Sequence, residues 1–297
     1  MKLGLALDLG SAAPVADQVT AALPVLRTAE DVGVDGVWIG ESYHRKPEPF
    51  HLPAALLVLS HLAGRTSLRL GTGVLLLRAY DPLRLAYETA LLDQLSGGRL
   101  TVGVGLGPAE LRSRFGSRLH PDAMLRALRT AWDEVAPNPV SGPRLLVGGG
   151  AEVAVRRAAE LGDGYYAATN YTDRLLARQA TAYRDLVPDG DVVANRLCLI
   201  HPDGDRAREL ADEYFAPVAG YYASRGLWES VPGDPPSPSV LVGSPAEVGA
   251  AFRRYRDWGI TGVNLRVKPF GTPPDVARRT LELARLTIDQ PTPPPSS

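Results

Sequence analysis

The chain has 297 residues, enough for one large α/β barrel or two ordinary domains. Its 32 basic and 33 acidic residues nearly cancel, to a net charge of −1, which leaves no electrostatic case for nucleic acid or an anionic membrane surface as partner. A single cysteine, Cys198, excludes an internal disulfide, and no uncharged apolar run of about 18 residues exists to span a bilayer, so a cytoplasmic protein is expected.

The opening MKLGLALDLG lacks the long apolar core of a signal peptide and reads as a first strand over residues 3–9. An amphipathic helix follows over 15–31, then a short buried strand over 36–40 and a helix over 52–62. Residues 68–77 form an almost unbroken apolar run, as expected of a strand buried on both faces of a parallel sheet. Asp81 before Pro82 predicts a helix start, with Asp as N-cap and Pro at the first helical position. Ser96-Gly97-Gly98 ends that helix, and a strand over 100–104 runs into Gly103, Gly105 and Gly107.

Beyond it the pattern gives a helix over 121–135, a strand over 144–147, a glycine turn at 148–150 and a helix over 152–161. A strand over 164–168, a helix over 172–186, a strand over 193–200 and a helix over 206–222 follow. After a proline-rich loop at 231–239 come a helix over 245–258, a strand over 262–267 and a helix over 274–288. The stretch 192–239 is irregular in this alternation and reads as an insertion near strand seven. The proline-rich tail 291–297 is expected to be disordered, leaving 1–290 as a single domain.

Three helix-to-strand junctions repeat one design, with glycines at 33 and 36, at 162 and 164, and at 259 and 262. The first glycine suits the left-handed position after a helix, and the second suits a tight start to the strand. Repetition of one αβ loop means repeated βαβ units and a parallel sheet. Eight such strands favour a closed (β/α)8 TIM barrel over a doubly wound sheet.

Ligands of such barrels gather at the C-terminal ends of the strands. There the sequence offers Asp8 after strand one, Glu41, Ser42, Tyr43 and His44 after strand two, and Gly73, Val74 and Arg78 at strand three. Gly105, Gly107 and Glu110 follow strand four, and Gly148-Gly149-Gly150 follows strand five. Asn170 and Tyr171 follow strand six, with Arg266 and Lys268 at strand eight. The backbone N–H groups of the 148–150 turn, ahead of a helix, suit a phosphate; an ordinary βα turn has the same sequence. A buried carboxylate at Glu41 would have a raised pKa and suit proton transfer, while a solvated one would only cap a loop. The five histidines form no HxxxH or HxH pair and the lone cysteine no cluster, so no metal site is expected. GxSxG and GxxxxGK[ST] are absent, and GVGLG at 103–107 lacks the spacing of a dinucleotide fingerprint.

The run GTGVLLLRAYDPLRLAYETALLDQLSGGRLTVGVGLG, residues 71–107, resembles the corresponding segment of the luciferase-like monooxygenases. AEDVGVDGVWIGES, AAELGDGYYA and VGSPAEVGAAFRRYRDWGITGVNLRV extend the likeness over most of the chain. The resemblance implies a (β/α)8 barrel oxidoreductase that uses the deazaflavin F420 for hydride transfer, or reduced FMN for O₂-dependent monooxygenation, on a small organic substrate. It also implies a phosphate in a turn such as 148–150, a non-proline cis peptide at Gly73-Val74, a separate cofactor reductase in the FMN case, and often a dimer. The expected catalytic residues are then Glu41, Ser42, His44 and Glu110. Those expected to bind the cofactor are Asp8, Gly73, Val74, Gly105, Gly107, Gly148, Gly149 and Gly150. Two positions depart from the family pattern. Ser42 stands where a histidine commonly follows the acid, with His44 two residues on, and Pro108 stands where some F420-dependent members have a glutamate. The absence of an adjacent histidine pair leans toward F420. A flavin-binding or partner subunit without catalysis stays open, as does a non-redox barrel enzyme for a phosphorylated substrate.

Overall fold

The computed structural model describes residues 1–10, 13–43, 52–115, 119–234, 240–269 and 271–288. Its strands in chain order are β1 (Lys2–Ala6), β2 (Gly36–Ile39), β3 (Arg69–Thr72), β4 (Leu75–Leu76), β5 (Leu100–Gly105), β6 (Arg144–Gly148), β7 (Gly164–Ala167), β8 (Asp191–Ile200), β9 (Val240–Gly243) and β10 (Gly262–Arg266). Eight of them pair in parallel in the order β1-β2-β3-β5-β6-β7-β8-β10, and β10 returns to β1 with Leu3 opposite Val263 and Gly4 opposite Asn264. The closed (β/α)8 barrel is therefore present. Short β4 only extends the β3 path beside β5, and β9 pairs with the outer half of β8.

The helices are α1 (Val15–Asp31), α2 (Ala55–Ala63), α3 (Pro82–Ser96), α4 (Glu110–Phe115), α5 (Pro121–Glu134), α6 (Glu152–Leu161), α7 (Asp173–Leu186), α8 (Gly204–Ser224), α9 (Pro245–Asp257) and α10 (Pro274–Ile288). Local chemistry fixes their ends where the sequence predicts. Asp81 accepts from the Leu83 and Arg84 amides, each at 3.0 Å, and left-handed Gly97 (φ 65°) closes α3. Gly33 and Gly259 are left-handed, at φ 72° and 82°, but Gly162 is extended at φ −103°. That third junction needs glycine for closeness instead, since a Cβ there would come within 2.8 Å of the Ala158 carbonyl oxygen.

The insertion at the seventh barrel strand is regular rather than irregular. β8 runs for ten residues, and α8 for 21. α8 covers a small core of its own against the far half of β8, through Leu197, Leu199, Ala207, Phe215 and Val218. The insertion expected near strand seven is thus present. The alternation is broken by one extra helix–strand pair, α8 and β9, packed outside the barrel wall. No described helix is long and apolar enough to cross a membrane. The tail 291–297 lies outside the described residues.

Along each barrel strand alternate residues face inward. The outward set, including Leu5, Val37, Leu70, Val102 and Leu265, is fully buried under the helices. The inward set is rich in glycine, and two large rings fill the space this leaves. A Cβ on Gly71 would overlap the Trp38 ring, and one on Gly73 would overlap the Tyr166 hydroxyl. Their ring centroids lie 5.7 Å apart.

Candidate active site

At the C-terminal ends of the strands the barrel opens into a cleft of about 780 Å³. Asp8, Trp38, Glu41, Gly73, Val74, Tyr166, Asn195 and Arg266 all line it. The peptide between Gly73 and Val74 is cis, as the resemblance implies. The Tyr166 hydroxyl accepts from Asn264 Nδ2 at 3.3 Å. Burial pushes the Tyr166 phenol up to about 12 against opposing hydrogen bonds from the Asn264 and Asn195 side chains and the Arg266 charge, so it is neutral at ordinary pH. Asn195 reaches the cleft from β8 and is only 7% exposed. Its side chain bonds toward Tyr166, while its buried Oδ1 has no hydrogen-bond partner among the described residues. An acceptor in that state costs free energy until a donor meets it.

An ion pair forms the floor. Arg266 Nε and Nη2 both reach Asp8 Oδ2, at 2.9 and 2.8 Å, and Arg266 Nη1 donates to the Tyr222 hydroxyl at 3.1 Å. Burial raises the Asp8 carboxyl, and the Arg266 guanidinium pulls it back. Burial also opposes the charge of Arg266, yet Asp8 and Tyr222 hold it above its ordinary value. A buried carboxylate and guanidinium in direct contact stay ionised together.

Glu41 stands just past β2, the strand beside β1, and is 5% exposed. Its Oε1 accepts from the Leu76 amide at 2.8 Å. Its Oε2 accepts from the Tyr80 hydroxyl at 2.7 Å and from Tyr43 at 3.2 Å. Burial raises the Glu41 carboxyl, and these three donors together with the Ala55 amide oppose the rise. The result is a buried, cleft-facing carboxyl suited to holding or moving a proton.

The other predicted residues divide. Asp8, Glu41, Gly73 and Val74 come together around the cleft. Ser42 does not reach it as a free hydroxyl, because its Oγ accepts from the Leu52 amide at 2.7 Å and pins the loop. His44 lies outside the described residues. Glu110 is exposed near the start of α4 and is not part of the cleft wall. Gly105 and Gly107 are also set back. A Cβ on Gly105 would meet Val74 at 3.1 Å and one on Gly107 would meet Leu76 at 3.0 Å, so these glycines let the 74–76 segment lie against β5. Gly148, Gly149 and Gly150 are not among the residues lining the cleft, and the Glu229 carboxylate, which accepts from Asn170, lies against Gly150.

Trp38, Tyr166, Asn195 and Tyr80 escape a sequence reading that looks only past strand ends. The signal for the first three was parity. Residues 36, 38 and 40, or 164, 166 and 168, share one strand face, and an asparagine inside an apolar strand needs a buried partner. At the opposite end of the barrel a second cavity of about 560 Å³ is rimmed by charges including Lys2, Arg69, Arg144 and Asp191, with Arg144 and Asp191 paired at 2.5 Å. That face belongs to stability rather than to chemistry. Among the described residues no group of three His, Cys, Asp or Glu gathers for a metal ion.

Residues 1–262 match the family model of luciferase-like monooxygenase. This chain is a member of that family. An F420-dependent glucose-6-phosphate dehydrogenase from Amycolatopsis mediterranei is 26% identical to the luciferase-like chain over 278 residues, 78% of this chain and 84% of that protein. The oxygenase component of a flavin-dependent trigonelline monooxygenase from Acinetobacter baylyi is 32% identical over 90 residues, 29% of this chain and 23% of that protein. The chain thus spans about a quarter of the length of some curated relatives that it matches and most of the length of others. Among solved structures, the monooxygenase RslO1 from Streptomyces bottropensis superposes with a TM-score of 0.77 at 25% identity, over 97% of this chain and 98% of that one.

Proposed function

We propose that this luciferase-like chain is an oxidoreductase whose cleft holds the tricyclic ring of F420 or FMN and acts on a small organic substrate. One observation carries the reading: the buried, unpartnered Asn195 Oδ1 in a cleft walled by Trp38, Tyr166 and the cis Gly73-Val74 peptide. Both rings carry an amide-like N–H between carbonyls that would satisfy that acceptor. When bound, the ring supplies hydride transfer as F420, or O₂ activation as reduced FMN.

The protein's own contribution is position, dryness and protons. Trp38 and Tyr166 give an apolar wall that excludes water, and the Asp8–Arg266 pair fixes the floor. Glu41 holds or accepts a proton at Oε2. The ring seat fits. The 148–150 turn fits a phosphate poorly while Glu229 beside it is ionised, which also weighs against the phosphorylated-substrate reading. The name of the Acinetobacter relative, an oxygenase component, supports a separate reductase as partner if FMN is the cofactor. A homodimer through the exposed stripe of α3 and a cytoplasmic location complete the proposal.

Turnover tests it. The protein is supplied with reduced FMN and O₂, or with F420, over a panel of alcohols, aldehydes and enones. Substrate-dependent turnover above the free-cofactor rate in one arm, lowered in Glu41→Gln, supports an oxidoreductase. Saturable cofactor binding with no turnover in either arm supports a flavin-binding subunit instead.

A further inference from the structure

We propose that Tyr80 and Tyr43 form a proton path leading from the Glu41 carboxyl in the cleft out through the half-buried Tyr43, past the end of β2. The proposal rests on reading Glu41 as the proton-transfer group of the cleft. Its basis is three oxygens in mutual contact. Tyr80 Oη lies 2.7 Å from Glu41 Oε2, Tyr43 Oη lies 3.2 Å from the same oxygen, and the two hydroxyls are 3.1 Å apart. Oε1 accepts from the Leu76 amide, which has no proton to exchange, so the exchange runs through Oε2, the oxygen that meets both hydroxyls.

Each phenol can accept one proton as it gives up another. When Glu41 releases its proton, the Oε2–H bond breaks and the proton passes to Tyr80 Oη. The proton of Tyr80 moves to Tyr43 Oη, and that of Tyr43 moves to water. The reverse sequence delivers a proton to the cleft, with no change in oxidation state. Neither phenol needs to ionise. Burial together with Glu41 pushes Tyr43 up to about 12 and Tyr80 higher still.

Around the path, Arg84 and Glu88 form an ion pair at 2.8 Å on the exposed face of α3, and the Glu88 charge adds to the rise of the Tyr43 phenol. From α4, Arg114 donates to the Tyr43 carbonyl at 2.8 Å, and the Phe115 ring packs 5.1 Å from the Tyr43 ring. Tyr43 is thereby held half-buried, its ring and backbone fixed by α4 and its hydroxyl on Glu41 and Tyr80.

The test follows protonation of Glu41 after a pH jump, by the infrared stretch of its carboxyl group, assigned by its loss in Glu41→Gln. In wild type the band equilibrates quickly. Tyr80→Phe and Tyr43→Phe keep the rings and are expected to slow equilibration at least about tenfold, and both raise the Glu41 pKa because each removes a donor to the carboxylate. A shifted pKa with an unchanged rate in both variants would overturn the path and leave the phenols a purely positioning role. The readout needs no cofactor. Full turnover in Glu41→Gln would remove Glu41 from the reaction, while the infrared rates would still decide the path.

Discussion

The Glu229 carboxylate occupies the space where a side chain on Gly150 would begin, since a Cβ built on Gly150 would overlap Glu229 Oε2. The other carboxylate oxygen accepts from Asn170 Nδ2 at 3.3 Å, and backbone bonds hold Glu229 to the β7–α7 loop, Glu229 N to Asn170 O at 2.9 Å and Thr172 N to Glu229 O at 3.0 Å. An acid is thus built into the turn that the sequence offers to a phosphate. Desolvation raises the Glu229 carboxyl, and the Asn170 hydrogen bond opposes it.

Removing that charge is expected to favour a phosphate nearby. A like-charge contact at about 4 Å in high dielectric is worth about 1 kcal/mol, so Glu229→Gln should improve FMN binding relative to riboflavin about fivefold. In wild type, falling pH protonates Glu229 early because its pKa is raised, so FMN tightens while riboflavin does not. Titrations of both flavins across pH check this. An unchanged FMN-to-riboflavin ratio in the variant would place the phosphate elsewhere.

Leu83, Tyr87, Leu91 and Leu95 recur every four residues along α3, each about half exposed. Such a stripe is costly to leave in water and suits a second copy of this chain. Leu91→Asp is expected to convert a dimer to a monomer by sedimentation, with the melting temperature falling on dilution in wild type only. A wild-type protein that sediments as a monomer at high concentration would rule the contact out.

Glu247 closes a capping box with Ser244 at the start of α9. The Ser244 backbone and side-chain hydrogen bonds and Arg208 hold its carboxyl down at about 2. A depressed carboxyl contributes stability above its unfolded pKa of about 4.5 and loses it as pH falls toward about 2. Glu247→Gln should therefore melt below wild type at about pH 6, with the gap closing on acidification. Thermal melts at several pH values check this, and a gap independent of pH would contradict it.

Most of the fold was legible because it repeats. Asp81-Pro82 with Gly97, and the glycines at 33 and 259, punctuate the chain by backbone chemistry that acts locally. The pieces that escaped are short or depend on tertiary contact, such as two-residue β4, six-residue α4, and β9, which needs the outer half of β8. The site was legible where a residue lies just past a strand, as with Asp8, Glu41 and the Gly73-Val74 pair. It was not legible where closure of the barrel sets the partner. Tyr80 meets Glu41 across 39 residues, Arg266 meets Asp8 across 258, and Glu229 meets Gly150 only through the inserted segment. The glycine turn had the expected sequence, but its neighbour could not be read from it.

The unpaired Asn195 Oδ1 is the point on which a ring-binding cleft stands or falls. Wild type and Asn195→Ala would be titrated side by side with FMN and with F420, following quenching of tryptophan fluorescence, since Trp38 lines the cleft. The expected result is saturable binding of one cofactor to wild type and about tenfold weaker binding to the variant, the loss of one buried hydrogen bond. No saturable quenching of wild type by either cofactor below about 100 μM, a free energy weaker than about −5.5 kcal/mol, would contradict it.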